Sequence, residues 1–147
     1  MLQTIKQKQF MANVTQIFVN LPVKDLKKSI DFFTKVGFTF NPQFTDENAT
    51  CMIINENIYA MLLTEQFFST FISKEIGKPQ QSAQSIIALA VGSREEVDEL
   101  TENAIAAGGN QYKETQDQGF MYGRNFEDPD GHLWEVFFMD MSALPQQ

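Results

Sequence analysis

The feature that most constrains the fold is a repeat with a period of about 70 residues. A strand-forming run, a helical pattern and a closing glycine occur around residues 14–37 and again around 86–109. Asp25 is a suitable N-cap for the first helix, and Ser93 with Glu96 has the form of a capping box for the second. Short apolar runs follow each helix. The sequence therefore predicts an α+β fold of two tandem β-α-β-β-β modules that form a concave sheet cavity.

The pattern also predicts the bounds of the elements and modules. Strands are expected over 14–21, 38–44, 50–54, 58–64, 86–91, 111–114, 120–126 and 133–139, with a short helix over 65–76. The modules would span residues 13–76 and 86–140, joined by a polar linker over 77–85 that glycine and proline interrupt. Residues 1–12 are expected to form a loose leader or arm, and 141–147 a tail. Two concave faces brought together would enclose a ligand cavity.

Charge and composition exclude several classes of protein. The net charge of −8 disfavours nucleic acid, whose phosphates need Lys and Arg, and it disfavours anionic membrane surfaces. No run reaches the roughly 18 apolar residues of a spanning helix. The single cysteine, Cys51, allows no intramolecular disulfide. We therefore expect a cytoplasmic protein that has neither nucleic acid nor a membrane as partner.

Two motifs carry a family resemblance. The segment NLPVKDLKKSIDFFTKVGF covers residues 20–38, and FEDPDGHLWEV covers 126–136. Together, in this order and with the repeat between them, they resemble the two ends of a vicinal-oxygen-chelate protein. That superfamily includes glyoxalase I, bleomycin-resistance proteins and extradiol dioxygenases. The resemblance implies a glyoxalase-like fold and dimers or internal pairing of modules.

The resemblance also locates the four positions that hold metal in the metal-dependent members. They fall on Phe18, Leu62, Ile86 and Glu135. A catalytic metal needs several nitrogen, oxygen or sulfur donors, and three of these positions carry hydrocarbon. We therefore expect neither a metal nor another cofactor, with a divalent metal as the alternative. The only histidine, His132, is expected to be an exposed turn residue.

Alternation along the strands predicts which side chains line the pocket. The predicted set is Phe18, Asn20, Met52, Leu62, Ile86, Tyr122, Arg124, Glu135 and Phe137. Glu135 is the candidate catalytic residue, and Arg124 is its expected counter-charge. Such a pocket is mostly apolar with a few polar groups, which is typical of small-molecule sites.

Several functions remain open at this point. The leading hypothesis is a protein that sequesters a small apolar or aromatic molecule without metal, as bleomycin-resistance proteins sequester drugs. The alternatives are a metal-dependent lyase, isomerase or dioxygenase of the same superfamily, a metal-free enzyme that uses Glu135 as base, and an interaction module. A homodimer is expected because the modules expose sheet edges and a concave face.

Overall fold

The computed structural model describes residues 9–144, so the ends of the expected leader and tail lie outside the described residues. The first module contains strands β1 to β4, with helix α1 after β1 and the short helix α2 after β4. The second module contains strands β5 to β8, with helix α3 after β5. The bounds are β1 Ile17–Val23, α1 Leu26–Val36, β2 Thr39–Asn41, β3 Ala49–Asn55, β4 Ile58–Thr64, α2 Glu65–Ser69, β5 Ile86–Ala90, α3 Arg94–Ala106, β6 Gln116–Asp117, β7 Met121–Glu127 and β8 Leu133–Met139.

Each module folds into one four-stranded mixed sheet. The strand order is β1-β4-β3-β2 in the first sheet and β5-β8-β7-β6 in the second. The first strand of each module runs parallel to the last, and the other pairs are antiparallel. The predicted α+β class and the two β-α-β-β-β modules are confirmed. None of the helices within residues 9–144 is long and apolar enough to cross a membrane.

Both long helices begin and end where the sequence predicts. The Asp25 carboxylate accepts the Lys28 amide, and Gly37 closes α1 with a φ of 129°. The Ser93 hydroxyl accepts the Glu96 amide. The Glu96 carboxylate returns to the amide of Gly92 at 2.8 Å, one residue earlier than in a regular capping box. These local hydrogen bonds satisfy amide donors that have no partner inside the helix.

The helices cover one face of both sheets, and a single core joins the modules. Phe32 and Phe33 of α1 reach across to the second sheet, where Phe33 lies 5.2 Å from the Trp134 ring and Phe32 lies 6.0 Å from Phe126. All four side chains are buried in one cluster. The opposite face of each sheet lies away from α1 and α3, and we call this the open face.

Four predicted elements differ in the structure. β1 begins at Ile17 and continues through Pro22, which the edge position of this strand permits because an edge strand needs fewer amide donors. β2 ends at Asn41, where Pro42 starts a short 3-10 helix. Helix α2 stops at Ser69 instead of continuing to residue 76.

The fourth difference is that residues 111–114 are not a strand. The Asn125 side chain accepts the amides of Tyr112 and Lys113 at 2.9 and 3.0 Å. It also donates to the Lys113 carbonyl at 3.1 Å. The side chain of Asn125 takes the place of a neighbouring strand, so after a single bridge between Asn110 and Glu127 the chain pairs with β7 as a strand at Gln116–Asp117.

Candidate functional site

The Asp-Pro-Asp-Gly turn between β7 and β8 joins the two modules. Asp130 accepts the backbone amide of Lys24 at 2.9 Å and faces the Ser29 hydroxyl at 3.4 Å. The ring Nε2 of His132 lies 2.8 Å from the carbonyl of Pro22. A carbonyl can only accept, so Nε2 donates this hydrogen bond. His132 is half-buried, and its hydrogen bond fixes β1 against the turn. The prediction that His132 is an exposed turn residue is therefore wrong.

Asp128 holds the turn in shape. One carboxylate oxygen accepts the amides of Asp130 and His132, each at 3.0 Å, and the other accepts the Trp134 indole at 3.0 Å. Burial raises the pKa of the Asp128 carboxyl, and the proximity of His132 and the indole hydrogen bond oppose that rise. The turn is therefore held by side-chain hydrogen bonds, and Asp128 connects it to the indole of Trp134 in the core.

A cavity of about 360 Å³ lies beside this turn, between the modules. One wall comes from β1, another from the starts of β5 and β8, and the third from the crossover segment over residues 68–85. Its walls are largely apolar, through Pro22, Phe68, Ile72, Ile76, Ile87 and Leu133, and its polar groups include Asn20, Lys74, Lys78 and His132. Gly131 has a φ of 94°, and an added Cβ would lie 3.0 Å from the backbone of Pro79, so the turn approaches the crossover closely.

The cavity adjoins the open faces of both sheets through Asn20 on β1 and Leu133 on β8. Asn20 and Phe18 alternate with the core residues of β1, so their side chains share its open face. Leu133, Glu135 and Phe137 share the open face of β8 in the same way, because Trp134 and Val136 belong to the core. Of the nine predicted pocket residues, Asn20 is the one that lines the cavity itself. Phe18, Ile86, Glu135 and Phe137 lie on the adjoining open faces, and their role in a pocket stays a prediction.

Two residues of the first sheet that were predicted in the pocket face the core instead. Met52 and Leu62 are both 0% exposed and pack in the core cluster. Leu62 pairs in register with Leu21, another core residue. The open face of β4 is formed by Tyr59, Met61 and Leu63, since side chains alternate along a strand. The predicted register on β3 and β4 is therefore wrong by one residue.

Two predicted residues of the second sheet lie under α3. The Tyr122 hydroxyl donates to Asp98, and the Arg124 guanidinium pairs with Asp98 and Glu102 at 3.1 and 2.7 Å. The hydrogen bond to Asp98 raises the pKa of Tyr122. Arg124 is thus separated from Glu135 by the thickness of the sheet. The prediction that Arg124 is the counter-charge of Glu135 is wrong.

The donor set on the open faces does not fit a catalytic metal. Met61 and Leu63 replace Leu62 as the residues of β4 on the open face. The four family positions then carry phenyl, apolar or thioether groups and a single carboxylate. Within residues 9–144, no three His, Cys, Asp or Glu side chains lie close enough together to hold a metal ion. Divalent transition metals need more donors than Glu135 alone supplies.

Sequence patterns missed most of the cavity wall. The crossover contributes Phe68, Ile72 and Ile76, from a segment that the sequence predicted to be a short helix over 65–76. Their spacing of four residues was the available signal. The structure shows that these side chains face the cavity from a segment that has no helix beyond Ser69.

Comparison with known proteins supports the fold. The family model described as Glyoxalase/Bleomycin resistance protein/Dioxygenase superfamily matches residues 15–136. A hypothetical protein, SA1046, from S. aureus has 28% identity and a TM-score of 0.72, covering 86% of this chain and 95% of that one. A glyoxalase/bleomycin resistance protein/dioxygenase family enzyme from Burkholderia phytofirmans PsJN has 18% identity and a TM-score of 0.71, covering 87% and 99%.

A third similar structure is the fosfomycin resistance protein FosX from Listeria monocytogenes. It has 22% identity and a TM-score of 0.62, covering 90% of this chain and 98% of that one. No curated protein sequence matches the chain.

Proposed function

The chain belongs to the glyoxalase/bleomycin resistance protein/dioxygenase superfamily, and we propose that it binds a small apolar or aromatic molecule at the junction of its modules without a catalytic metal. The observation that carries this proposal is the junction cavity. Its volume of about 360 Å³ lies within the usual range of roughly 300–1,000 Å³ for ligand sites. Mostly apolar walls with a few polar groups are typical of sites that bind such molecules.

The absence of metal from the proposed function rests on the donor set of the open faces. Phe18 and Ile86 offer no lone pair, and the open face of β4 offers Tyr59, Met61 and Leu63. The Tyr59 hydroxyl already donates to the Glu56 carbonyl, and its ring stacks on Phe18 at 4.8 Å. Binding energy would therefore come from burial of ligand surface against these groups and the cavity walls.

Phenylpropanol, a neutral aromatic alcohol, is a suitable first probe of the cavity. We expect it to shift the imidazole proton resonances of His132, the only histidine and a cavity residue, in a saturable way. Treatment of the protein with EDTA should leave the Kd unchanged. Ala83 lines the cavity and is exposed, so Ala83→Trp should fill the space and abolish the shift.

The matched control is Ala106→Trp, because Ala106 is exposed on α3 away from the cavity. This variant should bind phenylpropanol as the wild type does. Equal binding by Ala83→Trp and the wild type would contradict the cavity as the site. Loss of binding after EDTA treatment would contradict a metal-free function.

We also propose that the protein is a homodimer in which a second copy covers the open faces. Phe18 is 49% exposed and Ile86 is 53% exposed, and both lie on the edge strands β1 and β5 of their sheets. Uncovered surface of this kind on both modules is unusual for a monomer. Burial of these side chains by a partner would also enclose the mouth of the cavity.

Sedimentation velocity at micromolar concentration is expected to show a dimer. Phe18→Glu should shift the protein to monomer, because burying an unpaired charge in the interface is costly. Phe71→Glu is the control, since Phe71 is 66% exposed but follows α2 and lies on no sheet. A wild-type species of 16.8 kDa across the micromolar range would refute the dimer.

A further inference from the structure

Glu135 lies on the open face of the second sheet. Its neighbours in register are Ala88 on β5 and Asn125 on β7. Its Oε1 lies 3.8 Å from the place where a Cβ on Gly123 would be. The carboxylate thus extends over a position of β7 that has no side chain. Ala88 on β5 and Gly123 on β7 are small and leave space for a ligand group next to the carboxylate.

The carboxylate of Glu135 has no partner among residues 9–144: no side-chain hydrogen bond and no ion pair there involves it. Arg94 and Arg124, the two arginines of the second sheet region, pair with Asp117, Asp98 and Glu102 on the helix-covered side. The carboxylate is half-buried and can form a charge-assisted hydrogen bond with a cationic group of a ligand.

Aromatic groups adjoin the same carboxylate. Phe137 follows it on the open face of β8, one pleat farther along the strand. Asn125 is the register partner of Glu135 on β7. Its side chain accepts the backbone amide of Tyr112 at 2.9 Å and so fixes the position of Tyr112 on the β7 side of Glu135. Burial, then the charges of Glu135 and Glu127, raise the pKa of Tyr112.

We propose that Glu135 binds the cationic group of an organic amine whose apolar body occupies the junction cavity. Leu133 lines the cavity, and Glu135 lies two residues, or about 7 Å, farther along β8, which is the reach of a short alkyl chain. An ammonium group prefers a carboxylate and an aromatic face together over either alone. The net charge of −8 would also attract cations to the protein as a whole. This inference rests on the proposed function of the cavity.

Three matched compounds test the proposal: phenylpropylamine, phenylpropanol and phenylpropionate, which are cationic, neutral and anionic at neutral pH. We expect the amine to bind the wild type about tenfold more tightly than the alcohol, and the anion to bind least tightly. Glu135→Gln keeps the shape of the side chain and should bring the amine to the affinity of the alcohol. Glu99→Gln is the control, because Glu99 is exposed on α3 and its loss removes the same charge.

The outcomes separate the inference from the function on which it rests. Failure of all three compounds to shift the His132 resonances at millimolar concentration would overturn both. Equal affinity of amine and alcohol for the wild type, or an amine preference that survives in Glu135→Gln, would overturn the inference alone. If Glu135→Gln does not fold, the wild type provides the test. Added salt should then weaken the binding of the amine and leave the binding of the alcohol unchanged. An equal effect of salt on both affinities would overturn the inference.

Discussion

Leu62→Glu is expected to unfold the protein, although the family resemblance placed Leu62 at a ligand position. Leu62 is 0% exposed and packs in the core that joins the modules. A carboxylate there would be buried without a counter-charge, or would have to take up a proton, and either costs several kcal/mol. Such a loss is comparable with the whole stability of a typical domain, about 5–15 kcal/mol. Urea unfolding followed by far-ultraviolet circular dichroism measures it.

Met61→Glu is the matched control for this prediction. Met61 is the preceding residue on the same strand but lies on the open face, in register with Asn20. We expect this variant to fold and to lose much less unfolding free energy than Leu62→Glu, because its carboxylate can reach water. Similar losses for the two variants would show that the assignment of faces on β4 is wrong. Any effort to rebuild a metal site would use Met61 and leave Leu62 in place.

Asp128→Ala is expected to destabilise the protein by about 3–5 kcal/mol, because it leaves several buried donors without acceptors. The Trp134 indole is fully buried and donates to Asp128 at 3.0 Å. The amides of Asp130 and His132 would lose their acceptor as well. The turn then could not hold His132 on the Pro22 carbonyl. Thermal unfolding measures the loss, and the fluorescence of the single tryptophan reports on the indole environment.

Asp46→Ala provides the comparison for Asp128→Ala. The Asp46 carboxylate accepts two amides, those of Asn48 and Ala49, at 2.8 and 3.0 Å, but the residue is exposed. Water can replace the Asp46 carboxylate as the acceptor for these amides, so we expect Asp46→Ala to lower the free energy of unfolding by about 1 kcal/mol. If Asp128→Ala costs no more than Asp46→Ala, the turn does not hold the modules together.

The elements whose signals are local could be predicted from the sequence. Asp25, Gly37 and the pair Ser93 and Glu96 act within one helical turn, so their spacing alone identifies the helix ends. The Asp-Pro-Asp-Gly turn is recognisable for the same reason. The order of elements in the two repeats then leads to the fold class, and the two motifs lead to the superfamily.

Which face β3 and β4 present was decided only by the tertiary structure. Side chains alternate with a period of two, so an error of one residue exchanges the two faces of a strand. On β4 the run around Leu62 is apolar on both faces, and the sequence offers no contrast between them. The packing of α1 against one side of the first sheet buries Leu62 and leaves Met61 on the other side.

The partners of the charged residues and the cavity were likewise settled by packing. Arg124 and Glu135 lie on the neighbouring strands β7 and β8, but their side chains are on opposite faces of the sheet. The acidic residues that pair with Arg124 come from α3. The cavity depends on the crossover segment folding back over the junction, which no short-range pattern records. The sequence by itself determined the modules, the helix ends and the family. The long-range contacts between modules determined the site, because they alone set which surfaces are covered.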